Sequence, residues 1–420
     1  MRRITNRMGS AEVLILASSA GLASLAMNFW IPFIPLYMLH LGAADITTAL
    51  FWVGVAMTGQ GIARAASGVL WGVLSDRLGR KLMLIRALFF ATPTTMIAAF
   101  ATEPWHVAIA FACQGLFSGF IPATVALTSV IVPEEKLGSS LGLVTGAQYL
   151  GNTLGPAAGA GLAIIFGLRG AIFAAAIMPA IAAMVVLLAV PRDHVAPKAI
   201  TEPGETLAKG PSIGSLMTFQ FTLALFLCFF LFAITQLVRL TTPVVLDDIL
   251  AGESTGVIGI AFTVGGLASV IGVLFIARKL LSRPGAMRKV LVGSVIAAGL
   301  LHILLAVSMN VYAFVAVFAL ISLVTAAMLP ASNTLIASNA PRERRGSAFG
   351  LAGTAQALAF IVGPMSAALF AAISLQFGFV VLGVMCFALA VLLGWKLREP
   401  ALVDEPPATG QPAPPGSPSL

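Results

Sequence analysis

The amino-acid sequence predicts an all-α membrane protein in which twelve transmembrane helices form two pseudo-symmetric bundles of six. Three observations predict this fold: the composition, the spacing of long apolar runs, and an internal repeat. Of the 420 residues, 59% are hydrophobic and 10% are charged, whereas soluble domains carry about 25% charged residues. Lipid offers the backbone no hydrogen-bond partners, so a spanning chain must be helical or a closed barrel, and long apolar runs without alternation favour helices.

Twelve apolar runs are long enough to cross a membrane, which takes about 20 helical residues. We expect spans that begin near Ala11, Thr47, Leu82, Trp105, Gly138 and Arg169 in the first half, and near Gly214, Ser254, Met287, Val311, Gly346 and Gln376 in the second. The first run follows three arginines, as a signal peptide would, but it extends to about Leu41 and contains two prolines. We therefore predict that it is retained as span 1.

The chain aligns with itself without a gap at a distance of 208 positions, with Ile121–Pro156 falling on Leu329–Pro364. Spans duplicated with the same orientation form two bundles that face each other across a central cavity. The sequence therefore predicts an N-terminal bundle over residues 1–190 and a C-terminal bundle over 214–400. Residues 191–213 read as a cytoplasmic linker, and the Pro-rich residues 401–420 read as a disordered cytoplasmic tail.

The formal net charge of +8 would suit a nucleic-acid binder, but the bases lie in short loops between spans. The loops on one side carry Arg2, Arg3, Arg7, Arg77, Arg80, Lys81, Lys136, Arg278, Lys279, Arg283, Arg288, Lys289, Arg342, Arg344, Arg345, Lys396 and Arg398. The alternate loops carry five acidic residues and one clear base, Arg169. The positive-inside rule then places both termini in the cytoplasm. The three cysteines fall inside spans, which favours buried thiols over disulfides.

The loop after span 2 contains a conformational motif that consists of Gly68, Gly72, Asp76, Arg77, Gly79, Arg80 and Lys81. Gly68 and Gly72 are four residues apart, so one helix face lacks side chains and a neighbouring helix can approach closely. Asp76 lies at the membrane surface, where its carboxylate can accept bonds from the start of another helix. The bases can pair with carboxylates of that face or with anionic lipid. The alternative is that the basic loop only sets orientation.

Span 5 carries a second run of small residues, Gly151, Gly155, Pro156 and Gly159, which Gly142 and Gly146 continue one turn at a time. The proline frees a backbone carbonyl and bends the helix, and the glycines permit close contact with another span. The alternative is a plain packing face, since such faces occur in many membrane proteins.

These two motifs resemble those of a known family. The block Gly72-x-x-x-Asp76-Arg77-x-Gly79-Arg80-Lys81 resembles the cytoplasmic signature of the major facilitator superfamily, and the run in span 5 resembles the motif of its drug:proton antiporter branch. Short stretches around Arg64 and Arg86 are similar to the MdtG-type multidrug exporters. The chain departs from the pattern where Pro284 replaces the aspartate in the second copy and Ala160 replaces a second glycine.

The resemblance implies a secondary active transporter of the inner membrane that exports small amphipathic or drug-like compounds by alternating access, in exchange for protons. The sequence offers no evident proton carrier, because Phe111 stands where the family has an arginine and none of the sixteen acidic residues lies near the middle of a span. A carrier group needs a pKa that burial moves towards the working pH. Asp45 and His302 are the fallback candidates.

The cavity candidates are polar or aromatic residues within spans. Arg64 and Arg239 lie at a depth where a charge is costly and usually faces a cavity or a partner; the alternatives are snorkelling for Arg239 and pairing with carbonyls for Arg64. The remaining substrate-binding candidates are Asn28, Trp30, Gln114, Gln148, Asn152, Gln236, Asn333 and Gln356. Isolated amides in spans often bond between helices instead, so we expect about a third of these to contact substrate.

Two other functions stay open beside the export of amphipathic compounds. The first is export of one endogenous metabolite such as a carboxylate siderophore, which the deep arginines would suit. The second, from a different class, is a membrane sensor that transports nothing. An enzyme is not expected, since the chain lacks a phosphate-binding G-x-x-x-x-G-K-[ST] loop and its four histidines are scattered. The expected partners are a small-molecule substrate, membrane lipids and protons, and we expect a monomer without nucleic acid, cofactor or metal.

Overall fold

The computed structural model describes residues 2–191, 217–277, 287–341 and 345–398, and these ranges form helices joined by short loops without a β-strand among them. Eleven helices in these ranges are long and apolar enough to span a membrane. One of them, Lys136–Ala189, has 54 residues and is therefore about 81 Å long, more than twice the thickness of the hydrocarbon core. The helix breaks at Gly167, where φ is 71° and ψ is 170°. It holds two spans, which confirms the predicted twelve.

The spans lie close to their predicted positions. Span 1 comprises Arg2–Trp30, the 3-10 turn Ile31–Phe33 and Ile34–His40; span 2 is Ile46–Leu78, span 3 is Arg80–Ala99, span 4 comprises Pro104–Leu116 and Phe120–Ile131, and spans 5 and 6 share Glu134–Ala189. Spans 7 to 12 are Phe219–Ile249, Thr255–Ile271 with the π-helical turn Gly272–Ala277, Met287–Ala306, Val311–Ser338, Arg345–Ile373 and Leu375–Lys396. The predicted linker after residue 191 and the predicted tail lie outside the described residues, so these domain limits stay predictions.

Short polar side chains start several spans at the membrane surface. Asp45 precedes span 2 and its carboxylate accepts a bond of 2.7 Å from the backbone N–H of Thr48. Asn310 and Ser374 cap spans 10 and 12 in the same way. These caps satisfy N–H groups that have no intrahelical partner at a helix start.

Span 4 is broken inside the membrane, a feature that the sequence prediction missed. The first segment ends at Leu116, and Gly119 turns the chain with φ at 118° before the second segment begins at Phe120. A positive φ favours glycine, which has no Cβ to clash. Residues on both sides of the break are apolar, so hydropathy alone gives no sign of it.

The two bundles touch along three seams. Span 2 packs against span 11, span 5 packs against span 8, and span 1 meets span 7. The repeat relates the first seam to the second, because span 2 corresponds to span 8 and span 5 corresponds to span 11. The architecture is therefore pseudo-symmetric, as the internal repeat predicts.

The seams close on only one side of the membrane. On span 8, a Cβ at Gly259 would lie 2.4 Å from the Cβ of Ala160, and one at Gly266 would lie 2.7 Å from Thr153. The first contact lies near the ends of spans 5 and 8 that are remote from the start of span 1, and the second lies near the middle of both spans. On the same face of span 5 but nearer the termini, a Cβ at Gly142 or Gly146 would meet nothing within 4 Å. The bundles therefore separate towards the face at which span 1 begins and span 12 ends, which we call the terminal face.

Candidate functional site

A cavity of about 440 Å³ lies between the bundles and is lined by residues of spans 1, 2, 4, 5, 7, 8, 10 and 11. Six of the predicted substrate-binding residues line it: Asn28, Arg64, Gln114, Asn152, Gln236 and Arg239. The sequence prediction missed Gln60, which lies one helical turn before Arg64 on span 2. The cavity therefore collects polar side chains from spans that are far apart in sequence.

A chain of hydrogen bonds crosses from the second bundle to the first at one end of this cavity. Arg239 of span 7 donates from Nη2 to Oδ1 of Asn28 on span 1. Asn28 in turn donates from Nδ2 to Oδ1 of Asn152 on span 5, at 2.7 Å, and to the carbonyl of Ser24, at 2.8 Å. Arg239 thus bridges the two bundles, and Asn28 is the buried residue that holds it.

The glycines of span 5 make this arrangement possible. A Cβ at Gly155 would lie 2.8 Å from the Cβ of Asn28, and a Cβ at Gly159 would lie 2.0 Å from the carbonyl oxygen of Phe29. Neither position has room for a larger residue, so spans 1 and 5 approach to the distance at which Asn28 and Asn152 can bond. The motif of span 5 builds one wall of the cavity.

A second polar group lies on the first bundle. Gln60 donates from Nε2 to Oε1 of Gln114 at 2.7 Å, and the Gln114 amide lies 3.4 Å from the hydroxyl of Thr95. These bonds hold Gln114 of span 4 against spans 2 and 3. Arg64 is exposed to the cavity one turn further along span 2.

The wall combines cationic and aromatic side chains, and each bundle contributes both kinds. The described residues that line the cavity include two arginines but no aspartate, glutamate or histidine. Much of the remaining wall is apolar, with Phe111, Phe120, Phe262, Phe318 and Phe360. Such a site can hold a molecule that has an apolar body and a hydrogen-bond acceptor or an anionic group.

Comparison with known proteins gives the family. The sequence profile of the Major Facilitator Superfamily matches residues 16–287 and 242–418. The chain belongs to the major facilitator superfamily. It is 30% identical over 346 residues to the multidrug resistance protein MdtG of Proteus mirabilis, covering 81% of this chain and 84% of that protein, and 29% identical over 389 residues to MdtG of Enterobacter lignolyticus, covering 90% of each. Among solved structures, the nucleoside transporter NupG superposes with a TM-score of 0.73 at 15% identity, covering 92% of this chain and 99% of that one. This major facilitator chain is a multi-pass membrane transporter and not an enzyme.

Four predicted site residues lie away from the cavity of this major facilitator protein. Trp30 is buried edge-on against Phe111, with ring centroids 5.3 Å apart. Gln148 is buried, and its Nε2 bonds to no described atom. Gln356 points its amide towards the sulfur of Cys228 at 3.8 Å. These residues and Asn333 are not among the residues that line the cavity.

Neither fallback proton carrier lines the cavity. Asp45 lies at the membrane surface as the cap of span 2, and the hydrogen bond from the Thr48 backbone lowers the pKa of its carboxyl. His302 is fully buried within the second bundle, where its Nδ1 lies 2.6 Å from the carbonyl of Ala298. The described lining residues thus supply no titratable acid or imidazole to the major facilitator cavity.

The structure describes part of the conformational motif after span 2. Gly79 ends span 2 with φ at 96°. Lys81 is buried, and its Nζ donates to the carbonyls of Leu187, at 2.9 Å, and Val190, at 2.5 Å, where span 6 ends. A cation at the end of a helix satisfies free carbonyls and favours the negative end of the helix dipole. The side chains of Asp76 and Arg77 lie outside the described residues.

Proposed function

We propose that this protein exports small amphipathic compounds from the cytoplasm by alternating access, in exchange for protons. The basic loops support an orientation in which the terminal face is cytoplasmic, and the MdtG relatives support the inner membrane. The cavity opens towards that face, which is the side from which an exporter takes its solute. The names of the MdtG relatives support a drug-like solute.

The observation that carries the proposal is the amphipathic wall of the cavity. Its phenylalanines offer a surface for apolar groups of varied shape. Most of its amide and guanidinium groups belong to the first bundle. A site that relies on apolar contact with few fixed polar partners accepts a range of solutes. A volume of about 440 Å³ suits one drug-sized molecule.

The bond between Arg239 and Asn28 couples solute binding to reorientation. It joins spans 7 and 1 across the bundles, in the part of the molecule that is remote from the terminal face. A solute group that accepts a hydrogen bond from Arg239 competes with Asn28 and weakens this bridge. The empty carrier stays open to the cytoplasm, and the occupied carrier can close its terminal halves and open on the other side.

A specific observation favours a narrower second candidate, the export of an organic anion such as a carboxylate-bearing metabolite. Two guanidinium groups face the cavity and no described lining residue is acidic. In a low-dielectric site, an anion gains from such cations while a lipophilic cation is repelled. Under this candidate, Arg239 and Arg64 bind the carboxylate and the phenylalanines bind the rest of the solute.

Flux in proteoliposomes tests both candidates. Vesicles are loaded with tetraphenylphosphonium, a lipophilic cation, or with benzylpenicillin, an amphipathic carboxylate, and a pH gradient is imposed and then collapsed. Gradient-dependent movement of the cation supports multidrug:proton antiport, and movement of the carboxylate alone supports the second candidate. Arg239→Gln is expected to lower carboxylate flux at least about tenfold, because a charge-assisted bond is lost. Movement of neither solute would contradict export of amphipathic compounds.

A further inference from the structure

A second chamber of about 590 Å³ opens beside the central cavity, inside the first bundle between spans 2, 3 and 4. The chamber and the cavity share Met27, Arg64, Gln114, Phe120 and Ile121, so the two spaces adjoin at these residues. From this junction the chamber extends along spans 2 and 3 towards the terminal face, where Ser75 and Arg80 line it. The chamber therefore lies between the terminal face and the cavity.

The break in span 4 forms part of the wall of this chamber. The indole Nε1 of Trp71 donates to the carbonyl of Leu116 at 2.6 Å, and Nη2 of Arg86 donates to the carbonyl of Ser118 at 3.1 Å. These two bonds satisfy carbonyls that the break has freed. The second helical segment of span 4 begins at Phe120 beside the chamber, and the first N–H groups of a helix carry partial positive charge.

The guanidinium group of Arg86 lies in the chamber wall without full compensation. Its Cζ lies 3.6 Å from the centroid of the Trp71 ring, a cation–π contact. Nε and Nη1 are buried and bond to no described atom, and no described side chain that lines the chamber is acidic. One carbonyl and one ring face compensate a buried cation only in part, so an anion at this position is stabilised.

Three arginines of the chamber and the cavity lie at increasing distances from the terminal face. Along the helix axes, Arg86 lies about 9 Å and Arg64 about 21 Å from the ends of their spans at the terminal face. Arg64 borders both spaces, and Arg239 lies beyond it in the cavity. The wall near Arg86 is also aromatic, since Phe117 stacks on Phe90 with centroids 4.1 Å apart.

We propose that this chamber is a second binding site, selective for the carboxylate or phosphate group of an amphipathic anion, in which Arg86 and Arg64 receive the anion before Arg239 does. The proposal rests on the proposed function for the direction of travel, but binding in the chamber does not require that transport follow. The source of the anion is a solute from the cytoplasm or the headgroup of an anionic lipid. Either ligand reaches Nε and Nη1 of Arg86 by displacing the Trp71 ring.

Trp71 fluorescence tests the site directly. In a full-length variant, Trp30, Trp52, Trp105 and Trp395 are replaced by Phe, and the protein is placed in nanodiscs of phosphatidylcholine. Titration with benzylpenicillin is expected to shift the emission of Trp71, and tetraphenylphosphonium is not. In nanodiscs with phosphatidylglycerol, a shift before any addition that depends on Arg86 identifies the lipid headgroup as the ligand, which also supports the site.

The variants separate this site from the central cavity. Arg86→Gln is expected to weaken the response to benzylpenicillin about tenfold, because charge-assisted bonds are lost, while Arg86→Lys restores part of it. Arg239→Gln is expected to leave the Trp71 response unchanged. If Arg86→Gln does not fold, Arg64→Gln is used as the test variant instead, because Arg64 is exposed. An absent response in both lipid compositions, an unchanged response in the chamber variants, or its loss in Arg239→Gln would overturn the proposal. Binding without flux would overturn only the proposed function.

Discussion

Gly159 offers the sharpest test of how span 5 builds the cavity wall. A Cβ at this position would lie 2.0 Å from the carbonyl oxygen of Phe29 and 2.7 Å from its carbon. Close carbon–oxygen contacts in proteins are about 3.3 Å or longer, so Gly159→Ala must move spans 1 and 5 apart by about 1 Å. The obstacle is backbone, and no change of rotamer can relieve it.

The expected change in the free energy of unfolding is the sum of two opposing effects. Alanine stabilises a helix by about 0.5–1 kcal/mol relative to glycine, and overpacking costs about 1–3 kcal/mol. Gly161, two residues along the same helix, isolates the first term, because a Cβ there would meet nothing within 4 Å. We expect Gly159→Ala to be less stable than Gly161→Ala by the overpacking cost, about 1–3 kcal/mol.

Thermal unfolding in detergent measures this difference. A thiol-reactive dye reports unfolding through Cys228 and Cys386, which are both buried. The Gly159→Ala transition is expected below that of Gly161→Ala, and its flux is expected to fall because Asn28 and Asn152 no longer meet at bonding distance. Coincident transitions for the two variants would refute the packing argument, and normal flux in a destabilised Gly159→Ala protein would refute the link to the cavity.

Three further predictions concern closure, helix capping and acid stability. Gly146→Ala is expected to keep solute binding but lower flux about tenfold or more, because its Cβ meets span 8 only when the terminal halves close; binding and flux of Gly161→Ala serve as the control. Lys81→Met is expected to destabilise the protein by about 1–3 kcal/mol, since two carbonyls at the end of span 6 lose their donor, and equal thermal stability would contradict this. The pKa of the Asp45 carboxyl is lowered on folding, so its contribution to stability is full above the unfolded pKa of about 3.9 and is lost as the pH falls through the folded value. Asp45→Asn keeps a capping oxygen. When the pH falls from about 5 to about 3, on either side of the unfolded pKa, this variant is expected to lose less thermal stability than the unsubstituted protein.

The spans were predictable because the membrane imposes a strong and simple constraint on composition. Every spanning segment must be a long apolar helix, and the repeat then fixes which spans correspond. The joint between spans 5 and 6 was predicted at Arg169, close to the observed break at Gly167. The break in span 4 was not predicted, because Leu116 and Phe120 on its two sides are as apolar as a continuous helix would be.

The cavity was predictable only in part. Polarity within a span singled out Asn28, Asn152 and Arg239, which are costly in lipid and which line the cavity. It also singled out Gln148, which is buried elsewhere, since polarity does not tell which inward direction a side chain takes. Gln60 was missed although it is equally polar, because the amide candidates were taken from spans 1, 4, 5, 7, 10 and 11, and Gln60 lies on span 2. The role proposed for Arg86 depends on the break in span 4 and so could not be derived from the sequence.

The repeat explains the scaffold, and its exceptions explain the chemistry of the cavity. Positions that are 208 residues apart line the cavity from opposite bundles as the pairs Asn28 and Gln236, Ile31 and Arg239, Gln114 and Ser322, and Asn152 and Phe360. The first pair stays polar on both sides, but the larger amides of spans 4 and 5 face a serine and a phenylalanine across the cavity. A solute therefore meets Arg64 and most of the amides on the first bundle, whereas on the second it meets Gln236, hydroxyl and apolar groups, and Arg239, which bonds back to Asn28. The only described guanidinium that the second bundle contributes to this wall is tied to the first bundle. A solute that binds it therefore competes with the bridge between the bundles, as the proposed coupling of binding to reorientation requires.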